Sequence, residues 1–300
     1  MSNPTLALKR FNPDAIAENS ILYMQGKRNT GKSFLLKDLL YHKQDLPVGM
    51  VISKTEASNR FYGDFVPELF IHDEFHDNIV QEFVDRQRYV SQKRRRELTK
   101  NGVSKIDARG FLIFDDCIFD KSWTKSKDVR HIFMNGRHDN ITFLMTSQYP
   151  LGIPPDLRNQ IDYVFLLRDT ITRNRKITYE NFAGMFPTFE IFSTVLDQVT
   201  DDYGCLVIYN GSHSNRLEDQ VFWYKAEPHD SFRLGSSIYW DYCEKYCKSA
   251  DDENTNDFTS STNGSKTELG DYAPPFGNTT SIVDQYNKKK SSLNVVKSFN

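Results

Sequence analysis

Short, nearly continuous apolar runs separated by polar and turn-forming stretches recur along the first 210 residues. "SILYMQ" (20–25), "VGMVIS" (48–53), "FLIFDD" (111–116), "ITFLMTSQ" (141–148), "DYVFLLR" (162–168) and "YGCLVIY" (203–209) are the main ones, and "ELFIH" (68–72) is a shorter one. Runs of this kind predict strands buried on both faces. Between them the period changes. After Lys32, apolar Phe34, Leu35, Leu36, Leu39 and Leu40 recur at helical spacing. Residues 76–98 predict one long amphipathic helix that buries Ile79, Phe83, Tyr89 and Val90. Further helices are predicted over 126–137, 174–186 and 188–200, with a helical turn over 154–160. Strands alternating with helices predict a three-layer α/β fold with a mostly parallel central sheet.

The organisation follows from the same pattern. Residues 1–18 read as an irregular lead-in, 19–235 as one domain, and 236–248 as a helix. From Ser249 the chain turns to Ser, Thr, Asn, Asp and Gly with little to bury, so 249–300 is predicted to be a disordered tail. "NKKKSS" near its end reads more readily as solvated chain than as a docking patch.

Charge and composition narrow the function classes. The 300 residues are 38% hydrophobic and 26% charged, enough for a sizeable core. The net charge of −2 excludes a protein that coats DNA nonspecifically, so any nucleic-acid contact is confined to a local patch. Lys93, Arg94, Arg95, Arg96, Lys100, Lys105 and Arg109 form a basic cluster, readable as phosphate contacts or as a solvated helix end. Mean hydropathy is −0.59 and the apolar runs are short, so no membrane insertion is expected. Only Cys243 and Cys247 of the four cysteines are close in sequence, which fits reduced structural thiols better than a zinc site.

Candidate chemistry begins at "YMQGKRNTGKSFLLKDLL" (23–40), where Gly26, Gly31, Lys32 and Ser33 spell G-x-x-x-x-G-K-S. The glycines let backbone N–H groups curl around phosphate oxygens. The lysine would reach the β- and γ-phosphates of a nucleoside triphosphate, and the serine hydroxyl would hold Mg²⁺. Lys27, Arg28, Asn29 and Thr30 complete the loop, and Phe34 follows it in a helix whose positive end favours the anion. A predicted strand before and a helix after distinguish this from an ordinary glycine turn.

Two further strand ends fit the loop. "FLIFDDC" carries Asp115 to the carboxyl edge of a buried strand, where it would accept from water on Mg²⁺ beside Ser33. Asp116, one residue on, would polarise the attacking water. "FLMTSQYP" ends on Gln148, which would bond the γ-phosphate or orient water. A GTPase is disfavoured because "SKID" (104–107) precedes the acidic strand, in the wrong order for a guanine-selecting motif. A small-molecule kinase would not need the glutamine strand or the second acid.

These three elements in this order resemble the FtsK/HerA superfamily of DNA-pumping ATPases. "FYGDFVPELFIH" (61–72), "FMNGRHDNITFLMTSQYPLGIPPDLRNQIDYVFLLR" (133–168), "YENFAGMFPTFEIF" (179–192) and "LEDQVFWYKAEPH" (217–229) resemble, more specifically, the DNA-packaging ATPase of nucleocytoplasmic large DNA viruses. The resemblance covers roughly residues 18 to 235. It implies an added-strand P-loop ATPase whose glutamine strand lies between the P-loop strand and the acidic strand. It also implies an oligomeric ring that threads double-stranded DNA into a capsid. The partners would be capsid or portal proteins, and the place of action the host cytoplasm, in the viral factory, or the virion. An ATP-binding assembly scaffold without translocation is the alternative. Many cellular relatives carry Glu where this chain has Asp116, a shorter acid. Such motors commonly borrow an arginine from a neighbouring subunit. Arg137 in "NGRHDN", similar to the family's G-R motif, is the first candidate and Arg158 in "PPDLRNQ" the second.

Overall fold

The computed structural model describes residues 6–117, 121–149 and 152–252. Nine strands form one sheet: β1 (Lys9–Arg10), β2 (Ile21–Gln25), β3 (Gly49–Ser53), β4 (Ile71–His72), β5 (Gly110–Asp115), β6 (Ile141–Ser147), β7 (Tyr163–Leu166), β8 (Gly204–Tyr209) and β9 (Val221–Lys225). Their order across the sheet is β1-β9-β8-β7-β2-β6-β5-β3-β4. All pairings are parallel except β7 with β8 and β8 with β9. Helices α1 (Lys32–Tyr41), α2 (Glu56–Asn59), α3 (Asp77–Asn101), α4 (Lys127–Asn135), α5 (Pro155–Arg158), α6 (Thr172–Phe182), α7 (Phe189–Val199) and α8 (Ser237–Asp252) complete the described chain. This is the α/β architecture with a mostly parallel sheet that the alternating pattern predicts.

Burial explains which strands the sequence announces. Every residue of β2, β3, β5, β6 and β7 is buried, so each reads as an apolar run. β6 pairs with β2 on one side and β5 on the other, so the glutamine-ended strand does lie between the loop strand and the acidic strand. Parallel alignment brings the carboxyl ends of β2, β5 and β6 to one edge of the sheet, where ligands bind in such folds.

Several boundaries differ from expectation. The lead-in is not wholly irregular: Lys9 and Arg10 pair in parallel with Phe222 and Trp223. β9 itself was not anticipated, because its burial is partial and interrupted. Of "ELFIH" only Ile71 and His72 are strand, and Glu68–Phe70 is a 3₁₀ turn. α3 continues to Asn101 and stops at Gly102 in the left-handed region, φ 73°. α8 runs four residues beyond the expected end at 248. Residues 253–300, most of the predicted tail, lie outside the described residues. No helix among the described residues is long and apolar enough to cross a membrane.

The far end of α1 is fixed by a buried carboxylate. Asp38 accepts from Tyr224 Oη at 2.6 Å and from His229 Nε2 at 2.5 Å, while the Tyr41 ring stacks on His229 with centroids 3.7 Å apart. A buried anion satisfied from both oxygens ties the helix to β9 and the segment after it. The helix that begins at Lys32 is therefore held at both ends.

Candidate active site

The loop after β2 has the geometry that its glycines require. Gly26 N–H donates to Ser147 O at 2.9 Å, joining the loop to the end of β6. A Cβ on Gly26 would stand 2.7 Å from Thr30 Oγ1 and 3.1 Å from Leu167, so only glycine fits without a shift. Thr30 Oγ1 in turn donates to Lys27 O at 2.8 Å. Asn29 and Gly31 both take left-handed backbone, at φ 62° and 87°. Gly31 caps α1 without a side-chain bond, which leaves the first N–H groups of the helix for an anion. Lys27 reaches sideways to Asp169 at 2.5 Å.

A cavity of about 390 Å³ opens beside this loop, and Lys32, Ser33, Phe34, Asp115, Asp116 and Gln148 line it. The structure thus brings together the three elements that the sequence separates. Lys32 Nζ donates to Asp116 Oδ1 at 2.5 Å, and Gln148 Nε2 donates to Asp116 Oδ2 at 2.7 Å. Asp116 sits at φ 51°, a left-handed turn immediately after β5. Nonglycine residues in that region are uncommon and concentrate at functional sites.

Asp115 is held differently. Its Oδ1 accepts from Thr146 Oγ1 at 2.5 Å and its Oδ2 from Ser53 Oγ at 3.5 Å. Thr146 Oγ1 also accepts from Asp116 N–H at 3.1 Å. One hydroxyl therefore orients both acids. The sequence reading missed it, because the contact depends on the β5–β6 register, in which Phe114 faces Met145. Thr55 and Asn59, from the segment after β3, line the same cavity and were also not anticipated. Burial, helped by the charges of Asp115 and Asp116, pushes the Cys117 thiol well above its usual range, so it stays neutral beside the site.

Ser33 and Asp115 offer a hydroxyl and a carboxylate on one cavity, hard oxygen donors of the kind Mg²⁺ takes. They would hold the ion, which supplies neutralising charge to the phosphates. The protein's own groups divide the remaining work. Loop N–H groups and Lys32 would bind phosphate oxygens. Asp116 can accept a proton from water while Gln148 fixes the position of its carboxylate. Thr146→Val, close in shape, removes both hydrogen bonds of the hydroxyl. Its kcat is expected to fall by about 10- to 100-fold, as for other groups that orient a ligand-holding carboxylate. Phosphate release measured across a Mg²⁺ titration checks this.

The candidate arginines lie elsewhere. Arg137 follows α4 at the amino edge of the sheet, is 64% exposed, and pairs with Asp162. The length of β6, about 20 Å at the usual strand rise, separates it from its own Asp116. Arg158 is half-buried on α5 with its guanidinium 5.7 Å from the centre of the Phe182 ring. The basic cluster is also at the amino edge. Arg95 donates to His138 O at 2.7 Å, and Arg109 pairs with Asp107 and Asp45, each at 2.7 Å. Arg94, Arg96, Lys100 and Lys105 are exposed.

A phosphate-loop motif, two strand-end acids and a strand-end glutamine, with the glutamine strand between the others, meet on one cavity of a mostly parallel α/β sheet, the P-loop arrangement that the sequence pattern predicts. No protein-family model matches the chain. It is 40% identical over 240 residues to the uncharacterized protein L437 of Acanthamoeba polyphaga mimivirus, covering 80% of this chain and 84% of that one. It is 38% identical over 232 residues to the uncharacterized protein 075L of Invertebrate iridescent virus 6, covering 74% and 86%. The chain belongs to the family of these mimivirus and iridescent-virus proteins. Among solved structures, the genome packaging NTPase B204 of Sulfolobus turreted icosahedral virus 2 with sulfate is similar at a TM-score of 0.48 and 12% identity, over 72% of this chain and 100% of that one. EssC (ATPases 2 and 3) of Geobacillus thermodenitrificans is similar at 0.47 and 14%, over 79% and 45%.

Proposed function

We propose that this protein is an ATP-hydrolysing motor that moves double-stranded viral DNA into a capsid during virion assembly. The observation that carries the hydrolytic part is the joined set Lys32–Asp116–Gln148 on the phosphate cavity. A protein that only held ATP would need the loop and the lysine. It would have no use for a strand-end acid and an amide aligned on each other. Membership of a large-virus family and the similarity of residues 133–168 to the packaging ATPases support DNA as the load. Mg·ATP is the substrate, the working form is a homo-oligomeric ring, and capsid or portal proteins are its partners. It acts in the host cytoplasm, at the viral factory, or on the virion.

Arg137 remains our candidate for an arginine supplied in trans. It is exposed, and it stands too far from its own cavity to act in cis. The test is the ATPase rate of the purified protein with and without linear double-stranded DNA. DNA is expected to stimulate the rate severalfold. Lys32→Ala subunits mixed with Arg137→Ala subunits should recover part of that rate. A rate indifferent to DNA would favour the scaffold reading. No recovery in mixed rings would exclude Arg137, and recovery only with Arg158→Ala subunits would move the role to Arg158.

A further inference from the structure

Tyr203 stands beside the phosphate loop and is not explained by the phosphate chemistry. It is the last residue of the 3₁₀ turn Asp201–Tyr203 that leads into β8. β8 runs antiparallel to β7, with Leu206 opposite Leu166, and Leu166 pairs with Gln25 at the end of β2. The start of β8 is therefore at the same edge of the sheet as the loop. The contact is direct: a Cβ on Gly31 would lie 3.4 Å from Tyr203 Cδ1 and 3.7 Å from its Cβ. Yet the residue is 67% exposed, so its ring gains little from burial.

The backbone is held in an unfavourable form to put it there. Asp202 and Tyr203 are consecutive nonglycine residues with left-handed φ, 48° and 60°. Bulky side chains rarely adopt that region, and such strain persists only where the surroundings impose it. Asp201 pairs with Arg168 at 3.4 Å, and Asp202 pairs with Lys225. The neighbouring Gly204 accepts no Cβ, which would lie 2.1 Å from Val199 O.

The direction of a bound nucleotide gives this ring a use. Asp116 and Gln148 stand on the β6–β5 side of β2, so the terminal phosphate of a bound nucleotide would point that way. A triphosphate lying across the loop then brings its base out on the opposite, β7–β8 side. That is where Tyr203 offers an exposed aromatic face. We propose that Tyr203 is the platform on which the purine base of the nucleotide stacks. The proposal rests on the P-loop reading and adds a base subsite to it.

The test compares binding of Mg·ATP with binding of inorganic tripolyphosphate, which has the phosphates and no base. Tyr203→Asn removes the ring while keeping a residue that tolerates left-handed backbone. It is expected to weaken ATP binding by about tenfold, a typical loss for one aromatic stacking partner, and to leave tripolyphosphate binding unchanged. Tyr203→Phe should bind both like wild type. Lys32→Ala should weaken both. Equal weakening of both ligands by Tyr203→Asn would mean that the ring only braces Gly31, and would overturn the base subsite. Unchanged ATP binding would overturn it too. A wild-type protein that binds neither ligand would instead bring down the P-loop reading beneath it.

Discussion

Lys32→Ala is expected to abolish ATP hydrolysis and to weaken nucleotide binding. The side chain is 8% exposed and ends on Asp116 inside the phosphate cavity. Of the loop's two lysines, Lys27 pairs with Asp169 and Lys32 reaches the strand-end acid, where its ammonium would also neutralise the phosphates. Replacement therefore has two consequences. The developing negative charge on the phosphates loses a preorganised cation, and Asp116 loses the partner that places Oδ1. Removal of a single preorganised donor typically costs about 10² to 10³ in kcat. A cationic donor with a second positioning role should cost at least that much. Phosphate release under saturating Mg·ATP, with circular dichroism to confirm folding, measures it. Near-normal turnover would sink the assignment of this loop.

The parts of this site that a reader of the sequence can find are those encoded by local chemistry. Gly26, Gly31, Lys32 and Ser33 are fixed by spacing along one loop. Asp115 and Gln148 end fully buried strands, and full burial on both faces makes those strands continuous apolar runs. Long-range register hides the rest. Thr146 reads as an ordinary strand residue until β5 and β6 are aligned, and only then does it touch both acids. Tyr203 meets Gly31 because a strand pair reverses direction far along the chain. Asp38 and His229, 191 positions apart, would look like two unrelated polar residues. Strands toward the β1 side of the sheet are illegible for a different reason. β1 has two exposed residues and β9 is only partly buried, so neither writes a clear hydrophobic pattern. The arginines were legible as residues but not as positions. Arg137 follows a helix in sequence, yet the sheet places it at the edge away from the glycine-rich loop.

Asp116→Asn should bind Mg·ATP with affinity near that of wild type and hydrolyse it slowly. The amide keeps the size of the side chain, and its oxygen can still accept from Lys32 or Gln148. It cannot take a proton from water. General-base contributions are typically about 10² to 10⁴ in rate, and kcat is expected to fall within that range. Asp115→Asn should behave differently. Its carboxylate accepts from Thr146 and faces the cavity beside Ser33, so its loss should raise the Mg²⁺ concentration needed for half-maximal rate. The short reach of aspartate, compared with the glutamate of many cellular relatives, bears on the same measurement. Asp116 is placed by its left-handed turn and by Gln148, which holds Oδ2 at 2.7 Å. Gln148→Ala should therefore lower kcat in the same direction as Asp116→Asn, and the double variant should be little worse than Asp116→Asn alone, because the amide acts through that carboxylate. Additive losses would separate the two residues and give Gln148 a phosphate contact of its own. Identical Mg²⁺ dependence in the Asp115 and Asp116 variants and in wild type would show that the two acids had been assigned wrongly.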